Sequence, residues 1–203
     1  MTTAPTLYVI NLTRRPDRLQ SLNLPLPYIR VEAVDGRDLP DSIMAEFRST
    51  RSPLDVRKAR AGCMLSHIKA LEMAIDANNF PILILEDDVY LVTQELPPMP
   101  SDKLVCYYGA LPRQGRKKYV MPESSGWVAV LTGVHLYGCH AYGIPTRKSA
   151  EFILQLFRNH KKFGPPDTIL SALNNDRFVV HSPLLIHQRP GFSDITMTEV
   201  AQN

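Results

Sequence analysis

Apolar residues along the chain recur at two different spacings, and the alternation between them predicts the order of elements. Residues 7–12 (LYVINL) are a short β-type run that breaks into the polar, basic stretch TRRPDRLQSL, a strand, loop and short helix in succession. A second strand is predicted over 28–34 (YIRVEAV), closed by the turn-forming Asp35-Gly36. Between 62 and 78, Met64, Leu65, Ile68, Leu71 and Ile75 return at helical spacing, which predicts an amphipathic helix running straight into ILIL, residues 82–85. Further strands are predicted at 104–108, 127–131 and 137–144. Thr146 is placed to cap a helix whose Ala150, Ile153, Leu154 and Phe157 form one apolar stripe. Gly164-Pro165-Pro166 is a hard break, followed by a short helical stretch from Asp167, strands at 178–181 and 184–187, and a polar tail.

Strands alternating with helices predict an α/β fold with a mainly parallel central sheet flanked by helices. The aliphatic run at 82–85 is continuous rather than alternating, as in a strand covered on both faces. Ligands of such sheets gather at the carboxyl ends of the strands, and here the run ends in three adjacent acids, Glu86, Asp87 and Asp88.

Length and composition narrow the picture. At 203 residues the chain fits one domain, residues 1–203, with one sizeable core. The composition, 44% hydrophobic and 21% charged with a net charge of +3, is that of a soluble globular protein. No apolar run approaches the ~20 residues a membrane crossing needs. The opening MTTAPTLYVINL lacks the basic leader of a signal peptide, so a cytoplasmic location is the expectation. Near-balanced charge and the absence of a recognisable motif argue against nucleic acid as a partner. Cys63, Cys106 and Cys139 lack CxxC spacing and read as reduced thiols with no chemical role. Positive charge collects at 48–60 and 113–118; each reads as a solvated loop, against an anion-binding or acceptor-steering role.

Three acids beside a buried strand need a compensating charge. In an extended backbone Glu86 and Asp88 project to one side and Asp87 to the other, so the i, i+2 pair can share one hard divalent ion through oxygen. The alternative is an acidic turn paired with nearby arginines.

The segments YVINLTRRPDRL, AVDGRDL, GCMLSHIKALEMAI, ILILEDDV, HAYGIP, Asp167 and the closing SDI occur in the order found in glycosyltransferase family 25, which the chain resembles over most of its length. That resemblance implies a GT-A-type nucleotide-sugar-binding fold, a UDP-sugar donor, Mn²⁺ or Mg²⁺, and inverting transfer of a hexose to a glycan or glycoconjugate acceptor. It makes Glu86-Asp87-Asp88 the acidic donor motif, with Asp88 the direct metal ligand and Glu86 toward the ribose or a metal-bound water. The chain is short for the family, and 113–126 reads as a polar loop of its own.

On that footing Asn11, Arg14 and Arg15 become donor contacts, in preference to Arg18, a turn further on, which is suited simply to pairing with an acid. Asp35 is either a base or ribose acceptor or a plain turn residue. Ser66, His67 and Lys69 lie on the helix before the acidic strand, His67 at the border of its apolar stripe, where a structural and a donor-binding role are both open. Gly62 permits close backbone approach there. Asp167 is the expected base or acceptor anchor, against an N-cap role, and His140 is the second acceptor-side candidate. His187, in preference to His181, is the candidate for completing the metal shell. Gln188 and Ser193-Asp194 are expected to close over the donor. The competing functions are a catalytically silent domain that binds a sugar nucleotide or glycan, and metal-dependent nucleotidyl or phosphoryl transfer. The second lacks a GxxxxGKS phosphate cradle.

Overall fold

The computed structural model describes residues 4–47, 52–114, 117–118, 123, 125–130, 133–160, 164–172, 176–193 and 198–200. Its elements run β1 (Thr6–Asn11), α1 (Pro16–Ser21), β2 (Tyr28–Glu32), one 3-10 turn (Gly36–Asp38), α2 (Asp41–Met44), α3 (Leu54–Ala77), β3 (Ile82–Glu86) and β4 (Val89–Leu91). Then come β5 (Val105–Gln114), β6 (Lys117–Lys118), β7 (Gly126–Ala129), β8 (Val134–Ile144), α4 (Arg147–His160), α5 (Pro166–Ala172), β9 (Phe178–Ser182), β10 (Ile186–Gln188), β11 (Gly191–Ser193) and β12 (Thr198–Val200).

The central sheet has the strand order β2-β1-β3-β8-β5-β9-β7, with β6 on the far end of β5. β1, β2, β3, β5 and β9 point one way, and β6, β7 and β8 point the other. The expected helix-flanked α/β sheet is therefore present, with five strands co-directional and β8 inserted antiparallel between β3 and β5. β1, β2 and β3 end side by side, so their carboxyl ends form one continuous rim.

Burial explains why ILIL reads as an unbroken apolar run. Ile82 and Ile84 pack into the core beneath α3, α4 and α5, whereas Leu83 and Leu85 join a second cluster with Leu7, Val9 and Leu19 on the opposite face. All four are fully buried. Truncating any one to alanine would cost about 2–5 kcal/mol by the usual cavity penalty.

Several boundaries differ from the sequence expectation. The long helix begins at Leu54, not at 62, because Pro53 and Asp55 form a start signal that the apolar spacing does not reach. Residues 54–60 of the basic stretch are thus helical. Lys58 donates to the Leu39 carbonyl and Arg60 to the Ser52 hydroxyl, while 48–51 lie outside the described residues. The helix ends at Asn78, which adopts the left-handed conformation, φ 52°, that asparagine tolerates. The stretch 113–118 was expected to be loop, yet Arg113 pairs with Lys118 and Gln114 with Lys117 in a β5–β6 hairpin. Thr146 caps α4 as expected, its hydroxyl accepting from the Ser149 backbone N–H at 3.1 Å. Among the described residues no helix is long and apolar enough to cross a membrane.

Candidate functional site

A cleft opens where the carboxyl ends of β1, β2 and β3 meet one face of α3, the position at which α/β sheets take ligands. Leu12, Arg14 and Arg18 enter from the segment after β1, Val34 to Arg37 from the segment after β2, and Glu86, Asp87 and Asp88 from the end of β3. Ala59, Cys63, Ser66 and His67 face it from α3, and Gln188 closes it from β10.

Two glycines set how closely α3 approaches. A Cβ on Gly62 would lie 2.5 Å from the Val34 carbonyl oxygen and 2.7 Å from the Gly36 nitrogen, and one on Gly36 would strike the Lys58 carbonyl. Neither position has room for a side chain. Ser66 fixes the same contact by donating to the Gly62 carbonyl at 2.7 Å and accepting from the Val34 N–H at 2.8 Å. The helix face carrying Cys63 and His67 is held against the strand ends by this crossing.

The three acids do not alternate as an extended strand would have them. β3 ends at Glu86 and the chain turns through Asp87 and Asp88 before β4, so the i, i+2 geometry expected of Glu86 and Asp88 does not apply. All three nevertheless face the cleft. Asp87 is buried and accepts from Asn11 Nδ2 at 2.7 Å and Arg18 Nη1 at 2.8 Å. Asp88 Oδ2 accepts from Gln188 Nε2 at 3.1 Å and lies 3.4 Å from Arg18 Nη1, while Asp88 Oδ1 is buried with no hydrogen-bond partner among the described residues. Glu86 Oε1 stands 3.4 Å from His67 Nε2, whose other ring nitrogen is 3.0 Å from the Tyr142 hydroxyl.

Electrostatics separate the three. Burial, reinforced by the neighbouring Glu86 charge, pushes Asp88 up to about 7. Burial also raises Asp87, against the pull of Arg18 and Asn11. At Glu86 burial works upward too, but the His67 hydrogen bond and the charges of His67, His140 and Arg18 outweigh it and hold the carboxyl below its ordinary range. A half-buried carboxylate with one enclosed, unpartnered oxygen, beside a second acid, fits a hard divalent cation bound through Asp88 and Glu86. The cluster's present counter-charge is Arg18.

Of the other predicted residues, Arg14 and Asp35 line the cleft as a pair at 2.9 Å. Asp35 also takes the Arg37 guanidinium and backbone N–H, which together hold its carboxyl well below the ordinary range. Arg15 turns away to Asp17 on the surface. Asn11 is buried behind the cleft, bridging Asp87, the Arg15 carbonyl and Arg30, which makes it a brace for the acidic turn. Lys69 donates to the Glu32 carbonyl outside the cleft lining.

His140 is buried, its proton affinity lowered by burial, and it hydrogen-bonds the Ile186 backbone rather than facing the cleft. His187 stacks on Tyr90 with ring centroids 5.5 Å apart. Neighbours in a strand point to opposite sides, so the geometry that brings Gln188 to Asp88 turns His187 away from it. Asp167 lies in the first turn of α5, accepting from the Thr168 N–H at 2.8 Å and from the Gly138 N–H at 3.1 Å. It is outside the cleft lining, yet near enough that, after burial and Glu86, its charge raises the Cys63 thiol. Asp194 lies outside the described residues, as does the side chain of Ser193.

Arg18 pairs with the acids directly, the alternative its sequence position offered. One residue gains a place that the sequence reading did not give it. Cys63 stands with His67 and Glu86 so that sulfur, ring nitrogen and carboxylate oxygen all lie within 4.8 Å of one another. Their i, i+4 spacing on one helix face was the available signal.

Residues 4–98 match the family model described as Glycosyltransferase family 25 (LPS biosynthesis protein). A curated relative from Bos taurus, "Probable inactive glycosyltransferase 25 family member 3", is 31% identical over 96 residues. The match takes in 41% of this chain and 16% of the relative, so the chain spans a small part of that protein's length. Among solved structures, "crystal structure of a glycosyltransferase involved in the glycosylation of the major capsid of PBCV-1" is similar with a TM-score of 0.44 and 11% identity, over 89% of this chain and 83% of that one.

Proposed function

We propose that this chain, whose residues 4–98 match the glycosyltransferase family 25 model, is a glycosyltransferase of that family that moves a hexose, galactose or glucose, from a UDP-sugar to a hydroxyl of a glycan or glycoconjugate on a GT-A-type fold. The observation that carries the reading is Asp88, a half-buried carboxylate whose Oδ1 is enclosed and has no hydrogen-bond partner among the described residues, beside Glu86 in a cleft at the strand ends. A divalent cation, Mn²⁺ or Mg²⁺, held by Asp88 and Glu86 would offset negative charge on the departing diphosphate. Arg18, already against the acids, adds a guanidinium for the phosphates, and Arg14 with Asp35 offers donor and acceptor groups to ribose or base.

Transfer breaks the bond between the anomeric carbon and the diphosphate oxygen and forms one to the acceptor oxygen on the opposite face, with inversion. The acceptor's hydroxyl proton passes to a base. We assign that base to Asp167, a half-buried carboxylate whose charge reaches the Cys63 side of the cleft, in preference to the buried His140.

Incubation with a panel of nucleotide sugars, with and without Mn²⁺, tests this. Release of free UDP from one donor is expected, lost with chelator and reduced at least about 100-fold in Asp88→Asn. Two observations favour a second reading: Arg18 pairs with Asp87 and Asp88 where a cation would otherwise be needed, and a relative bears the name "probable inactive". On that reading the cleft binds a sugar nucleotide without turning it over. Donor binding unchanged by chelator, with no turnover on any donor, would select it.

A further inference from the structure

We propose a second metal position in this protein: Cys63, His67 and Glu86 form a three-ligand site for a thiophilic divalent cation, zinc by preference, distinct from the hard-ion position at Asp88. Cys63 and His67 lie one turn apart on α3, and Glu86 meets them from the end of β3. The three ligand atoms fall within 4.8 Å of one another, and His67 Nε2 and Glu86 Oε1 are already 3.4 Å apart. Ligand atoms sharing one tetrahedral zinc stand about 3.3–3.6 Å apart, given Zn–S near 2.3 Å and Zn–N and Zn–O near 2.0–2.1 Å.

The donor set decides the metal. A thiolate and an imidazole are softer ligands than carboxylate pairs and select zinc or cobalt over magnesium and manganese. Binding replaces the Cys63 S–H proton, which leaves to solvent as the sulfur–metal bond forms. The surroundings are built for His67 as a ligand through Nε2, because Nδ1 faces the Tyr142 hydroxyl at 3.0 Å and the rings stack at 5.6 Å. A hydrogen-bond partner on the far nitrogen fixes ring orientation in metal-bound histidines. His67 and Tyr142 are buried, and Cys63, His67 and Glu86 all line the cleft, so a fourth coordination position would be reached from it.

One consequence rests on the proposed glycosyl transfer. Glu86 cannot serve both positions at full strength, so occupancy of the soft site would weaken the hard ion at Asp88, and zinc would inhibit a manganese-supported reaction.

Cobalt titration of the full chain, after chelator treatment, tests the site without reference to activity. A sulfur-to-cobalt charge-transfer band in the near ultraviolet is expected, displaced by zinc and unmoved by magnesium. It should vanish in Cys63→Ser and persist in Cys106→Ala and Cys139→Ala. Zinc affinity, measured by competition with a chromophoric chelator, should fall at least tenfold in Cys63→Ser and His67→Gln, and about tenfold in Tyr142→Phe through loss of the ring's partner. No band in the wild type, a band that survives Cys63→Ser, or one that follows Cys106 or Cys139 overturns the proposal. The band is independent of turnover, so a chain that binds cobalt here yet releases no UDP separates this inference from the proposed reaction.

Discussion

Arg18 is the residue on which the charge balance of the cleft turns. Its side chain is 15% exposed and its partners Asp87 and Asp88 are 7% and 16% exposed, so the ion pairs are shielded from water rather than dissolved in it. Removing the guanidinium strands two enclosed carboxylates, and Arg18→Ala is expected to cost about 2 kcal/mol, below the ~3–5 of a wholly buried pair. If the acids are a cation site, manganese should restore more to the variant than to the wild type. Thermal unfolding of both proteins with and without Mn²⁺ checks this, the larger upward shift of Tm being expected in Arg18→Ala.

A second residue-scale test uses pH. Burial, with a contribution from the Asp102 charge, pushes the Cys106 thiol up to about 12, above its ordinary ~8.5. A raised folded pKa means the unfolded chain gives up the proton first. The associated stability is complete below ~8.5 and is lost as pH climbs toward 12, by up to tenfold in the folding equilibrium per pH unit. Urea midpoints between pH 8 and 11 should fall less steeply in Cys106→Ala than in the wild type. At this scale the sequence was informative about residue types and poor about partners. That Glu86, Asp87 and Asp88 need a counter-charge follows from their neighbours in the chain, but Arg15 and Arg18 have the same charge and nearly the same position. Only the path of α1 turns Arg18 inward and leaves Arg15 on Asp17.

At the scale of elements, the cleft depends on α3 lying flush against the segment after β2. Gly62→Ala places a methyl 2.5 Å from the Val34 carbonyl, so helix or turn must move. The expected cost is about 1–3 kcal/mol, and on the proposed function nucleotide binding is expected to weaken as well, because Cys63 and His67 shift with the helix. Calorimetry of UDP binding, set beside denaturant unfolding of the same variant, measures both; Ala61→Gly, its neighbour in the helix, should lower stability without a matching loss of affinity. The core of α3 was legible because Met64, Ile68 and Leu71 recur on its buried face. Its first two turns were not, since Asp55, Arg57, Lys58 and Arg60 show no apolar spacing, and the partners of Lys58 and Arg60, the Leu39 carbonyl and the Ser52 hydroxyl, are tertiary or loop contacts. The hairpin at Arg113 and Lys118 escaped for the same reason: polar residues can pair as strands when a neighbouring strand supplies the ladder.

For the molecule as a whole, the topology makes a prediction that the family match by itself would not. The matched segment, residues 4–98, holds β1, β2, α3 and β3, hence nearly all of the cleft. Yet β3 has a partner on each side, β1 and β8, and the β8 register runs Ile82 to Ile144 and Leu85 to Ala141. The core beneath α3 is completed by Tyr142, Ile153, Phe157 and Ile169, all from the other half. Tyr142 is also the partner of His67. A fragment ending at residue 98 would therefore expose the β3 edge and one apolar side of α3, and it is expected to show no cooperative thermal transition and to bind UDP at least tenfold more weakly than the full chain. Circular dichroism melts and UDP titration of the fragment against the full chain measure both. A fragment that melts cooperatively and binds UDP with full affinity would mean that the acidic turn, Arg18 and α3 make a self-sufficient nucleotide-binding unit, with the remaining strands an addition to it.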